Sequence, residues 1–149
     1  MTVHRMDHVG VVVEDLAAAI AFFVELGLEL EGEATVEGEW ADELLGLEGV
    51  RTDIAMMRTP DGQGRVELST FQSPAATRTA SREPVNTPGI PRLTFVVDAV
   101  DDVLSRLRAH GAELVGEVAQ YEDIYRYCYV RGPDGIIIGL VEELKPRRE

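Results

Sequence analysis

At 149 residues, 45% of them apolar, the chain has enough hydrophobic material for one compact domain or two very small ones, so disorder is not the default reading. Fourteen Lys and Arg against 27 Asp and Glu give a formal charge of -13, which repels nucleic-acid phosphates and anionic membrane surfaces and leaves a small organic molecule or a protein as the expected partner. A single cysteine, Cys128, excludes an intrachain disulfide, and no apolar run approaches the ~18 residues of a membrane span. The chain is therefore expected to be soluble, unprocessed and cytoplasmic.

The first expected element is a strand over residues 8–13, "HVGVVV", whose β-branched residues suit a pleated sheet. His8, Gly10 and Val12 then point one way, while Val9, Val11 and Val13 point the other. A helix follows, with Leu16, Ala19, Ile20, Phe23 and Leu26 at three- and four-residue steps, Asp15 as its N-cap and Gly27 at its C-terminal end. Strands are expected over 29–36, 50–58 and 65–71, with a short helix at "EWADELLGL" between the first two.

Sliding the sequence by 84 lays His8 to Leu30 over Arg92 to Leu114 without a gap, so the unit is repeated. The second copy opens with "RLTFVV" and continues with a helical stripe of Val100, Val103, Leu104, Leu107 and His110, with Asp98 as N-cap and Gly111 at the end. Strands are expected over 113–121, 125–131 and 136–142, and "RTPDG" and "RGPDG" mark matching turns between the last two strands of each copy. The fold class is α+β, two tandem βαβββ modules: a first module over 1–71, a linker rich in Pro, Ser, Thr and Ala over 72–89, and a second module over 90–149. "YEDIYRYCYV" sets Tyr125, Tyr127 and Tyr129 on one face of a strand, either sheet packing or a pocket wall for a flat organic molecule. Met56 has the same two readings. Cys128 lies on the opposite face and reads as a small buried thiol.

"DHVGVVVEDLAAAIAFF" at the head, "RVELSTF" closing the first unit and "GPDGIIIGLVE" closing the second resemble the vicinal oxygen chelate superfamily, which includes glyoxalase I, extradiol dioxygenases, methylmalonyl-CoA epimerase and the fosfomycin and bleomycin resistance proteins. The resemblance covers nearly the whole chain. It implies a curved, barrel-like cleft of sheets with helices outside, a homodimer, and four metal ligands, one on the first and one on the last strand of each module. Two positions match: His8 and Glu67. The other two carry Arg92 and Gly139.

A catalytic divalent site ordinarily has about three protein ligands, and arginine stays protonated and offers only donors. A metal-free form is therefore expected over one holding a divalent metal ion, unless Glu122 or Asp123 supplies a displaced ligand. Arg92 facing Glu67 would place a fixed positive charge where the family has a metal, and would also suit an anionic or carbonyl-bearing ligand. The plainer readings are a hydrogen-bonded His8 at a strand edge and a Glu67 paired with Arg65 or Arg92; His4 and His110 read as surface residues.

Two function classes follow. One is a glyoxalase- or bleomycin-resistance-like protein that binds a small organic molecule through Arg92, Tyr125, Tyr127, Tyr129 and Met56. The other is a metal-dependent lyase, isomerase or ring-cleaving dioxygenase, with His8 and Glu67 as an incomplete metal set and Glu67 as catalytic proton shuttle. A third, weaker class is a metal-free enzyme with a carboxylate base beside a guanidinium.

Overall fold

The computed structural model describes residues 2–76 and 82–145, so residues 77–81 of the expected linker lie outside the described residues. The chain forms two compact units, Met1–Thr79 and Ala80–Glu149. Each carries its own open sheet, and together the described residues form nine strands, three α-helices and one 3-10 turn at Pro133–Gly135. None of these helices is long and apolar enough to cross a membrane.

The first unit runs β1 (Val9–Val12), α1 (Leu16–Leu26), β2 (Glu29–Glu37), α2 (Glu39–Leu45), β3 (Arg51–Arg58) and β4 (Arg65–Ser73). Its sheet order is β1-β4-β3-β2; β1 lies parallel to β4 and the other pairs are antiparallel. The crossover through α1 lets the first strand return beside the last, because parallel neighbours need a long connection. One sheet face carries Val13, Ala55, Met57, Val66 and Leu68, all buried, and α1 packs against β3 and β4 with Ala19, Phe22, Phe23 and Leu26 buried. The buried stripe therefore includes Phe22, which the sequence pattern passes over, while Leu16 and Ile20 sit half-buried at its flank. The Asp15 side chain accepts from the Ala18 N–H at 3.0 Å, and Gly27, at φ 121, closes the helix as expected.

The expected short helix is α2. Asp42 anchors it, its carboxylate accepting from the backbone N–H groups of Gly49 at 3.0 Å and Val50 at 2.7 Å at the entry to β3. Among the described residues, strand β2 pairs only with β3; it carries Glu29, Glu31, Glu33 and Glu37, with a bulge between Leu30 and Gly32. Three of these glutamates reach arginines of β3 and β4: Glu29 to Arg58 at 2.8 Å, Glu31 to Arg65 at 3.0 Å and Glu37 to Arg51 at 3.9 Å.

The second unit runs β5 (Arg92–Val96), α3 (Val100–Arg108), β6 (Glu113–Leu114), β7 (Ala119–Tyr121), β8 (Tyr125–Arg131) and β9 (Ile137–Glu143). Its sheet order is β5-β9-β8-β6, with β7 pairing further along β8, and β5 again runs parallel to the last strand. Val100, Val103, Leu104 and Leu107 of α3 are buried, as are Cys128, Val130, Ile138 and Leu140 of the sheet. His110 is exposed.

Three details depart from expectation. The strand expected over 113–121 is two short pieces: the Val115 N–H still donates to the Tyr129 carbonyl at 2.9 Å, then the chain passes through Gly116 and regains the ladder at Ala119. Asp98 is not the cap of α3. Ala99 holds that position, and the Val100 N–H donates instead to Glu142 Oε1 of β9 at 2.9 Å, so an acid from the neighbouring strand does the capping. Gly111, at φ 87, comes after a helix that ends with Ala109 in ordinary helical conformation, and the Ala112 N–H closes back on the Leu107 carbonyl at 3.1 Å.

Candidate functional site

In the first unit, the face of the sheet away from α1 carries the expected pair. The parallel register sets Glu67 opposite Gly10, and His8 lies two residues before Gly10, just ahead of β1. His8 Nε2 comes to 3.6 Å from Glu67 Oε2, with about a third of each side chain exposed. The other ring nitrogen, Nδ1, lies 2.7 Å from the Asp7 carboxylate, which also meets Arg5 at 3.0 Å. These partners, His8 first and Arg5 second, hold the Asp7 carboxyl below the usual carboxylate range. Asp7 went unremarked in the sequence, although the adjacent "DH" is the signal for a carboxylate that orients an imidazole. Met56 pairs with Glu67 across β3 and β4 and so shares its face. Arg65, one expected partner of Glu67, turns instead to Glu31.

In the second unit, the corresponding face carries Arg92, Thr94 and Val96 of β5, Gly139 and Val141 of β9, and Tyr125, Tyr127 and Tyr129 of β8. Tyr121 of β7 extends the row opposite Tyr125. The Arg92 guanidinium lies over the Tyr129 ring, 5.3 Å from its centroid. Thr94 Oγ1 is 3.2 Å from the Tyr127 hydroxyl, which is 3.1 Å from that of Tyr129. Gly139 is buried beneath these groups. A Cβ there would stand 2.5 Å from Thr94 Oγ1 and 3.0 Å from Tyr129 Cε1, so the space in which a side chain would begin is already filled. Thr94 is a further residue that the sequence reading missed, although its period-two spacing from Arg92 puts both on one face.

The hydrogen bond with Tyr127, followed by burial, pushes the Tyr129 hydroxyl pKa up. An unfolded tyrosine titrates near ~10, so the stability linked to this group is fully present below about pH 10 and is lost as pH rises through the higher folded-state value. In an alkaline titration followed by phenolate absorbance, one of the four tyrosines should ionise after its ordinary range. Tyr127→Phe, which removes the leading cause, should bring that titration down.

On the opposite face, Cys128 is 2% exposed and its thiol pKa is pushed up by burial, which suits an inert packing role. Arg126 beside it holds Asp101 through two contacts of 2.8 and 2.9 Å. Glu122 and Asp123 sit in the turn between β7 and β8, where Asp123 pairs with Lys145. Among the described residues, no three or more His, Cys, Asp or Glu side chains group as metal donors.

The family model for the Glyoxalase/Bleomycin resistance protein/Dioxygenase superfamily matches residues 5–140. The chain belongs to this superfamily. Among solved structures, a glyoxalase family protein from Bacillus cereus is 54% identical, with a TM-score of 0.92 and 97% of each chain covered. The trypanothione-dependent glyoxalase I of Leishmania major shares the fold at 18% identity and TM-score 0.66, over 95% of this chain and 88% of that one. So does the fosfomycin resistance protein FosX of Listeria monocytogenes, solved with Mn(II) and sulfate, at 14% identity and TM-score 0.61, over 95% and 92%. No curated protein matches.

Against the superfamily's four-ligand pattern, the residues present do not fit a metal centre. The first unit offers two donors, His8 and Glu67. In the second, the matching positions hold a guanidinium stacked on an aromatic ring and a glycine whose side-chain space is occupied.

Proposed function

We propose that this superfamily member binds a small organic molecule on the tyrosine-lined face, in the manner of the glyoxalase/bleomycin-resistance-like proteins, without the superfamily's usual metal. The observation that carries the reading is the filled space at Gly139, where Thr94 and Tyr129 stand in place of a fourth ligand. Arg92, Tyr125, Tyr127 and Tyr129 of the second unit are the proposed contact residues, while Met56, the fifth expected one, lies on the first unit's sheet beside Glu67. A cytoplasmic homodimer completes the proposal, and the acidity of the chain argues against nucleic acid and anionic membranes as partners.

The pairing of His8 with Glu67 favours a second reading, a metal-dependent lyase, isomerase or dioxygenase with an atypical ligand set and Glu67 as the proton-handling group. Metal analysis after gentle purification, followed by titration with Mn(II), Zn(II) and Ni(II), separates the two. The metal-free reading expects no stoichiometric binding. A one-to-one complex that disappears in His8→Ala, together with turnover of an α-ketoaldehyde thiol adduct or a catechol, would establish the second reading and discard the first.

A further inference from the structure

Helix α2 connects β2 to β3, a connection that a turn over 122–124 makes between β7 and β8 in the second unit. The module thus closes without such a helix, and α2 gives the core only Ala41. Its larger apolar groups face water. Trp40 and Leu44, one turn apart on the same flank, are each 66% exposed, and Leu45 and Leu47 are 43% and 42% exposed. A surface helix ordinarily turns charged or amide side chains to solvent, so a contiguous apolar stretch of this kind marks a face that another surface covers.

The patch is also held still. Ala41 is buried, and the Asp42 carboxylate accepts from the Gly49 and Val50 N–H groups. Gly46, left-handed at φ 66, returns its N–H to the Asp42 carbonyl at 2.9 Å. Little order remains to be imposed when a partner docks, and that ordering is a main cost of association.

Area decides what the partner is. At these exposures the residues present on the order of 500 Å² of apolar surface, within the range of the largest patches on single proteins. A partner has to answer with a matching apolar area, and a second copy of the chain does so by symmetry, because a two-fold axis sets the same patch on both sides. The pair removes on the order of 1,000 Å² from water, the floor for a specific interface. With the two helices antiparallel across the axis, Trp40 of each copy lies against Leu44 of the other.

We infer that α2 is the face through which two copies of this chain pair, the apolar groups between Trp40 and Leu47 packing across a two-fold axis. This rests on the homodimer proposed above and names its interface. Glu39, Glu43 and Glu48 stand exposed around the patch, in a chain of charge -13, so pairing brings like charges to the rim of an apolar centre. Association should therefore tighten as salt screens those charges, the reverse of an interface built on ion pairs.

Trp40 is the only tryptophan of the chain and so reports on the patch alone. Sedimentation equilibrium and tryptophan emission, followed from about 0.1 to about 100 μM, should show monomer passing to dimer with a dissociation constant on the order of 10 μM. Emission should move to the blue and acrylamide quenching should fall in step with the mass, and raising NaCl from about 0.05 to about 0.5 M should strengthen the dimer severalfold. Leu44→Asp should weaken it about 100-fold or more with no change in the urea midpoint, because the position is exposed in the single chain. Val24→Asp, at an exposed apolar position of α1, should leave pairing unchanged. A dimer that survives Leu44→Asp, that leaves Trp40 emission and quenching unaltered, or that loosens as salt rises would overturn the inference and leave the homodimer standing. A protein that stays monomeric throughout would overturn both.

Discussion

Gly139→Glu, which writes the superfamily's ligand type back into the last strand, should create no metal site and should destabilise the protein by about 3 kcal/mol or more. The added Cβ would meet Thr94 Oγ1 at 2.5 Å, Tyr129 Cε1 at 3.0 Å and Thr94 Cβ at 3.1 Å. Thr94 Cβ is fixed to the neighbouring strand, so the backbone or the ring has to give way. The carboxylate would then lie at a buried position among hydroxyls already bonded to one another. Gly139→Ala isolates the steric part, and adding Thr94→Ala should return some of the loss, because it removes the closest atom. The readout is the urea midpoint at unchanged slope, beside a Mn(II) titration of each variant. A Gly139→Glu protein that melts like the parent and binds one Mn(II) would show that the position is an acid site after all.

Phe22→Ala should cost about 3–5 kcal/mol, a large share of the roughly 5–15 kcal/mol that holds a domain together. Phe22 and Phe23 are both fully buried, with centroids 5.4 Å apart in an edge-on contact. Truncation removes a large apolar surface and leaves a hole between α1 and the first sheet that neighbouring side chains fill only in part. Phe22→Leu keeps most of the volume and should cost about 1 kcal/mol. Chemical denaturation of the two variants side by side measures the difference. Near-equal losses would mean that the helix repacks around the site.

Local pattern carried most of the architecture. Alternation along β1 and β5, the three- and four-residue stripes of α1 and α3, and the offset of 84 between His8 and Arg92 were enough to place two βαβββ units, and the adjacency of first and last strands brought His8 to Glu67. What escaped the sequence depends on groups far apart in the chain. Glu142 caps α3 from 42 residues away, a role no local cap pattern announces. The filling of Gly139 by Thr94 requires the parallel register of β5 on β9, and the break between β6 and β7 requires knowing how β8 offers its edge. The substitutions at Arg92 and Gly139 were legible as chemistry; their stacking and their crowding were not.

The glutamates of β2 have a consequence for behaviour at high concentration. On the side away from β3, the nine-residue strand β2 has no partner strand among the described residues, and such an edge presents amide and carbonyl groups on which another molecule's strand could dock, successive docking making fibrils. Charged side chains at four of its positions, three of them in ion pairs with arginines of β3 and β4, and a bulge near Gly32 make that rim a poor template for a flat ladder. Charge thus also acts locally, guarding one edge of the first sheet against polymerisation.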